Sequence, residues 1–500
     1  MKNINDRYVI FSIILVVFLF LSATQTLTSG YHFVDDHEVI RIKHDLKESS
    51  LIDVAKAWVK DDINDASRFR PLYFAHRVLE TRVFGSDFFI WSLYTGLLWC
   101  LTLVLFYLGM RNLKFRIIES IIFLVVAFIG PQTEIWWRLG PQESLGVTFL
   151  AFSFYFMSVS AIGRNYHLNN ILFIVFLILA SLCKESFIII IPAFLVFKVW
   201  YERVNLWKSN KKVLLKNLVL LVPFFAAIFE IIYIKYFVGT VYSGINNELN
   251  VVFGNIWHTC LNFVKTYLNL VIVGIILLIT SMLIKKRIRR FDFMAFIFLL
   301  LILIPNIFLY ARTGLSERYL LPSSIGLAFF IVACLKDISD NPMWYKKAAN
   351  ALILISFLPF LISAINDAAR FAKEGKETNS LLSAISSSYE TGTQALVVAD
   401  PVRSYETSVS LKYYLFYENN IDLFGYCMIE TAEDGAIGYT DGWKSYFSGK
   451  LYENMNSKPG LLIFLDSKIA DKFFEGGPLI QSDYFPVESG SYTYSLFKLK

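Results

Sequence analysis

Two adjacent carboxylates are the most unusual chemistry this sequence offers. Asp35 and Asp36 stand in Phe33-Val34-Asp35-Asp36-His37-Glu38, directly after the first long apolar run. One aspartate before an apolar-periodic run is enough to cap a helix. Two, with Glu38 beside them, exceed what a cap requires. Crowded carboxylates can act as a general base or as ligands for a hard cation. Four further groups carry cations. In Arg68-Phe69-Arg70-Pro71-Leu72-Tyr73, Arg70 could grip a phosphate with its planar fork or snorkel at a helix start, with Pro71 in the first turn. Lys184-Glu185 interrupts an apolar stretch and could hold an anion or form its own ion pair. Arg312, Glu317 and Arg318 lie ahead of a late apolar run, where cations bind phosphate or anchor in headgroups. Glu134, Trp137 and Arg138 sit in EIWWRLGPQE, an aromatic and charged mixture that suits a sugar, although paired tryptophans also populate interfacial belts.

Together these residues describe one coherent reaction. A carboxylate can deprotonate an acceptor hydroxyl. Cations can hold a lipid phosphate and stabilise it as it departs. The six histidines show no convincing ligand spacing, and the five cysteines form no CxxC, so no structural zinc is expected.

The elements that must position these residues are membrane helices. Of 500 residues 56% are hydrophobic and 18% charged, and mean hydropathy is +0.52. A soluble core cannot hide that much apolar surface. Apolar runs fall near 8–28, 88–110, 117–130, 144–162, 168–183, 186–200, 217–238, 258–284, 292–310, 320–335 and 348–366, about eleven spans. Lys and Arg concentrate in alternate loops, at 111–116, 164, 198–216, 285–290 and 336–347. That side is cytoplasmic, and the N-terminus with it. The net charge of +6 reports these loops and not a nucleic-acid partner. A single helix over 170–200 would invert everything after it, so two short half-spans meeting at Lys184-Glu185 are expected. At 1.5 Å per residue, 168–183 covers about 24 Å of a core about 30 Å thick. Lys184 and Glu185 are therefore expected below the outer surface, facing a polar cavity.

The loop 30–87 and the tail after 366 then lie outside. The loop should be partly helical, over 37–48 and 71–84. The tail reads as a small α/β domain over 377–500, with strands at 394–399, 461–465 and 491–499 and a helix at 404–418. Residues 1–366, with the loop 30–87, form the membrane domain.

In order along the chain, Asp35-Asp36, Arg70-Pro71-Leu72, Lys184-Glu185 and Arg318-Tyr319-Leu320 resemble the GT-C glycosyltransferases, polytopic enzymes that use lipid-linked sugars. The likeness is strongest to the bacterial and animal O-mannosyltransferase-like branch, and covers about residues 8–330. It implies a GT-C-like membrane fold and an inverting transfer from a polyprenyl-phosphate sugar. The base would be Asp36 or Asp35, with a slight preference for Asp36. The donor phosphate would be held by Lys184, Arg312, Arg318 and Arg70. Glu38, Glu185, Glu317, Glu134, Trp137 and Arg138 would support the site or the acceptor. Some members use a divalent cation, Mg or Mn, which here would fall to Asp35 and Asp36. In size and layout the chain also resembles the serotype-converting O-antigen glucosyltransferases of enteric bacteria and their phages. This implies a multi-pass protein of the bacterial inner membrane that adds glucose or mannose to an envelope glycan such as lipopolysaccharide. A lipid-linked glycan flippase or transporter would show repeat halves and midplane charges. A glycan polymerase, also polytopic with basic outer loops, would lengthen its product by repeats.

Overall fold

A computed structural model describes residues 4–500 apart from 65–66, 164, 207–216, 239–248, 286–289, 311–316, 339–342, 429–435, 456, 477 and 490–493. The chain divides into two compact units. One comprises residues 1–24, 55–77 and 92–368; the other comprises 25–54, 78–91 and 369–500. The loop 30–87 thus contributes to both.

The first unit is helical. Eight helices among the described residues are long and apolar enough to cross a membrane, and the last of these runs on into the second unit. Ile117–Phe128 and Tyr166–Ser181 are shorter apolar helices. Helices such as Ile4–Ala23 are apolar all round, as lipid on one side and protein on the other demand. The segment Arg318–Lys336 is the most enclosed, 89% buried against 11% for Asn5–Ala23, so it is the central post of the unit. The expected interruption near Lys184 is present. Tyr166–Ser181 ends, a single turn Glu185–Ile188 follows, and Ile191–Leu206 resumes. Lys184 itself is extended, with φ −164°.

The second unit is built on a five-stranded sheet, ordered β2-β1-β3-β5-β4. β1 (Ala395–Ala399) pairs in parallel with β2 (Leu423–Cys427) and β3 (Leu461–Phe464). β5 (Ser495–Leu499) runs antiparallel to β3 and to β4 (Tyr484–Ser489). Every residue of ALVVA is buried, as a central strand covered on both faces requires. The helix Pro401–Asn419 opens with Asp400, whose carboxylate accepts the Val402 N–H at 2.9 Å, and with Pro401 in the first turn. It closes on Asn420 in the left-handed conformation. One face of the sheet is covered by Leu411, Leu415, Trp443 and Phe447. Phe33 and Ile40, from either side of the acidic pair, are buried in that same core. The opposite face packs on Ile469, Phe473 and Tyr484.

Candidate functional site

In the membrane unit, three groups that are far apart in sequence come together. Helix Glu143–Ala161 begins with Glu143, 2% exposed, which forms an ion pair with Lys184, 3% exposed. The Lys184 ammonium also lies over the Tyr319 ring, 4.1 Å from its centroid. Tyr319 stacks on Tyr310 with centroids 4.7 Å apart and planes within 2°. The Arg318 guanidinium covers the Tyr319 ring at 5.3 Å. It approaches Glu134 at 3.9 Å, and Glu134 meets Arg138 at 3.3 Å on its other oxygen. Three cations and two carboxylates therefore occupy one cluster. Lys184 is sealed inside it, whereas the Arg138 side chain is about a third exposed and that of Arg318 about a fifth.

Local structure fixes Glu134. Gly130 adopts φ +150°, a conformation closed to side-chain-bearing residues, and opens the turn Pro131–Trp136. The Gly130 N–H donates to the Thr133 hydroxyl at 2.8 Å. Gln132 accepts the Tyr267 hydroxyl at 2.8 Å and donates to the Ala127 carbonyl at 3.0 Å. At the other side of the cluster, the Leu182 carbonyl at the helix break accepts the Leu72 N–H at 3.2 Å.

Other expected site residues are engaged elsewhere in the unit. Arg70 is buried and forms an ion pair with Asp62, with its Nε 3.2 Å from Oδ2. Burial lowers the guanidinium pKa, but the Asp62 bond and charge outweigh this and raise it, so Arg70 stays charged. Its rings beneath are Tyr73 and Phe74. Glu185 is paired with neither Lys184 nor Arg70: its Oε1 accepts the Phe69 N–H at 3.4 Å. Trp137 is 4% exposed, packed on Phe20, and Trp136 stacks in parallel on Trp99. These tryptophans are core, so they offer no open stacking face. Arg312 lies outside the described residues. Glu317 begins the turn Glu317–Leu320 that carries Arg318.

In the second unit, the acidic pair splits into two environments. Asp36 is 2% exposed, and its Oδ2 accepts the His32 N–H at 3.0 Å. It precedes the helix His37–Glu48 but makes no side-chain capping bond. Asp35 is half-buried, and its carboxylate makes no hydrogen bond or ion pair among the described residues. Its φ is +66°, a left-handed conformation that Asp tolerates better than most residues. Phe33 points into the sheet core, and the His37 ring stacks on Tyr413 while its Nδ1 lies 2.7 Å from the Ser410 hydroxyl. Glu38 is in the first turn of the following helix.

No group of three or more His, Cys, Asp and Glu side chains capable of holding a metal forms among the described residues. Asp35 could offer its carboxylate to a cation, while Asp36 is turned toward His32. Sequence reasoning had Glu143 at the end of EIWWRLGPQE but gave it no role, and it missed Asp62. Glu143 is the more telling omission, since a lone buried lysine needs a counter-charge and the nearest acidic residue at a helix start supplies it. Arg70, Tyr73, Phe74 and Arg77 share one helical face. This spacing could have shown that the stretch packs inward: Arg77 donates to the Leu139 carbonyl at 2.7 Å and Tyr73 to that of Gly140 at 3.0 Å.

No protein-family model matches the chain. No curated protein matches it either. Among solved structures it is similar to ArnT from Cupriavidus metallidurans bound to undecaprenyl phosphate, with a TM-score of 0.53 and 12% identity over 98% of this chain and 97% of that one. Likeness over nearly the whole length of both chains extends to the helical unit and to the small sheet, and this integral membrane protein has the ArnT-like GT-C fold.

Proposed function

We propose that the protein is an inverting membrane glycosyltransferase. It moves a hexose, glucose or mannose, from a polyprenyl-phosphate sugar to a cell-envelope glycan such as O-antigen, on the outer face of the bacterial inner membrane. The observation that carries this reading is the meeting of Lys184, Arg318 and Arg138 in a chain with the fold of a protein solved with undecaprenyl phosphate. Guanidinium forks match phosphate oxygens, and the attraction of a cation buried behind them is little screened by salt. Arg318 and Arg138 bind the donor phosphate. Lys184 and Glu143 fix Tyr319, and with it the start of the central helix.

Asp35 is the base. It takes the proton of the acceptor hydroxyl as that oxygen bonds to the sugar's anomeric carbon. The bond from that carbon to the phosphate oxygen breaks on the opposite face, so the configuration inverts and polyprenyl phosphate leaves with the electron pair. Asp35 suits this role because its carboxylate is uncommitted, whereas Asp36 is bonded back to His32. A phosphate leaving group needs little acid assistance, so one base and a cationic clamp suffice.

The test uses the full-length protein in liposomes with undecaprenyl-phosphate glucose or mannose and isolated O-antigen lipopolysaccharide. Mass spectrometry should find the acceptor heavier by one hexose. Movement of the lipid-linked sugar across the bilayer without transfer would instead show a flippase, and lengthened repeats a polymerase.

A further inference from the structure

The segment that carries the acidic pair is strapped to one stretch of the helix Met343–Ser388, within the second unit. Lys376 bonds the Gln25 side chain, and the Asn379 amide donates to the Tyr31 carbonyl at 3.1 Å. His32, 7% exposed, lies flat on Phe371, with ring centroids 3.5 Å apart and planes within 13°. Its Nε2 is 2.8 Å from the Phe371 carbonyl oxygen. That oxygen can only accept, so the hydrogen of this bond is on Nε2. The remaining nitrogen, Nδ1, lies 3.4 Å from Asp36 Oδ2 but makes no hydrogen bond; the His32 backbone N–H is what donates to that oxygen, at 3.0 Å. Room for the ring comes from Gly375, where a Cβ would stand 2.7 Å from His32 Cε1 and Nε2. The Tyr414 hydroxyl closes the arrangement by donating to the His32 carbonyl at 3.0 Å.

The ring therefore ties the His32 backbone to the helix, the backbone N–H of His32 holds the Asp36 carboxylate, and Asp36 adjoins the residue with the left-handed backbone. We propose that His32 is a positioning residue. Through Nε2 it fixes the backbone whose N–H holds Asp36, and Asp36 holds the turn that presents the Asp35 carboxylate to the acceptor hydroxyl. This rests on the glycosyltransferase reading with Asp35 as base. Nothing in the spacing of the sequence announces it, because the partner carbonyl is 339 residues away.

The two contacts can be separated chemically. The amide nitrogen of Asn falls near the position of histidine Nδ1, and that of Gln near Nε2. His32→Asn keeps the group that faces Asp36; His32→Gln keeps the one that faces the Phe371 carbonyl. Transfer from undecaprenyl-phosphate glucose or mannose is measured with the full-length protein in liposomes, together with thermal unfolding. Asp35→Asn should lower transfer about 10²–10⁴-fold. His32→Gln should stay near wild type, whereas His32→Asn should lose about tenfold or more in kcat, with donor KM within about twofold, because a reacting group misplaced by an ångström is costly. Gly375→Ala, which pushes the ring aside, should behave as His32→Asn does and add nothing to it. Equal activity of the Asn and Gln variants, or loss that follows unfolding temperature alone, would reduce His32 to a structural strap and overturn the proposal. A fully active Asp35→Asn variant would overturn the assignment of the base, and the role of His32 with it.

Discussion

At the scale of residues, the two aspartates should separate under substitution. Asn suits the left-handed backbone of position 35, so Asp35→Asn removes the charge without adding strain. Transfer should fall about 10²–10⁴-fold, the usual contribution of a general base, with the protein still folded. Asp36→Asn should lower activity less and unfolding temperature more, since its oxygen accepts the buried His32 N–H. Kinetics and thermal unfolding of the two variants side by side check this. If Asp36→Asn alone eliminated transfer, the assignment would reverse. Arg318→Lys should raise the donor KM nearly as much as Arg318→Gln, because lysine has no planar fork. A lysine variant with wild-type KM would argue against a bidentate phosphate contact. Asp35-Asp36 was visible in the sequence as an excess of carboxylates. Its division into an engaged and an uncommitted member was not, because the division depends on backbone torsions and on a helix far along the chain.

At the scale of elements, the break between Tyr166–Ser181 and Glu185–Ile188 was legible. Charge asymmetry between loops forbade one long helix, and a 16-residue helix is too short to span. The partner of Lys184 was not legible. Adjacent Lys and Glu suggest a mutual pair, yet residues one apart on a helix or turn point in different directions, and Glu143 is placed better. Lys184→Met and Glu143→Gln should each cost about 3–5 kcal/mol, since each strands a buried charge. The pair Lys184→Met with Glu143→Leu should recover much of that stability while donor binding stays impaired. Thermal unfolding and donor KM of the three variants decide it. Trp136-Trp137 illustrates the opposite limit. Composition cannot tell an interfacial belt from a core, because both select large rings; only the stacking on Trp99 and Phe20 shows which it is.

At the scale of the whole molecule, apolar content and run length sufficed for a polytopic helical protein, and the run QALVVA sufficed for a strand, though not for its central place in the sheet. The tail's second strand, Leu423–Cys427, was harder to see, since LFGYC is short and contains a glycine. A lipid-linked donor makes a further prediction: nucleotide-activated glucose or mannose should support no transfer by the purified protein in liposomes, while the undecaprenyl-phosphate sugar should. Transfer from the nucleotide sugar alone would contradict the proposed donor. The buried Lys184–Glu143 pair also bears on how the chain is made. Glu143 is 41 residues ahead of Lys184, so during synthesis the carboxylate reaches the bilayer before the ammonium does. A lysine at the centre of a membrane segment opposes insertion by about 2.5–3.5 kcal/mol. With its counter-ion already in place, the short half-span that ends in Lys184 can leave the insertion machinery as a nearly neutral object. Insertion of the segments that follow Lys184 then depends on a residue of an earlier helix.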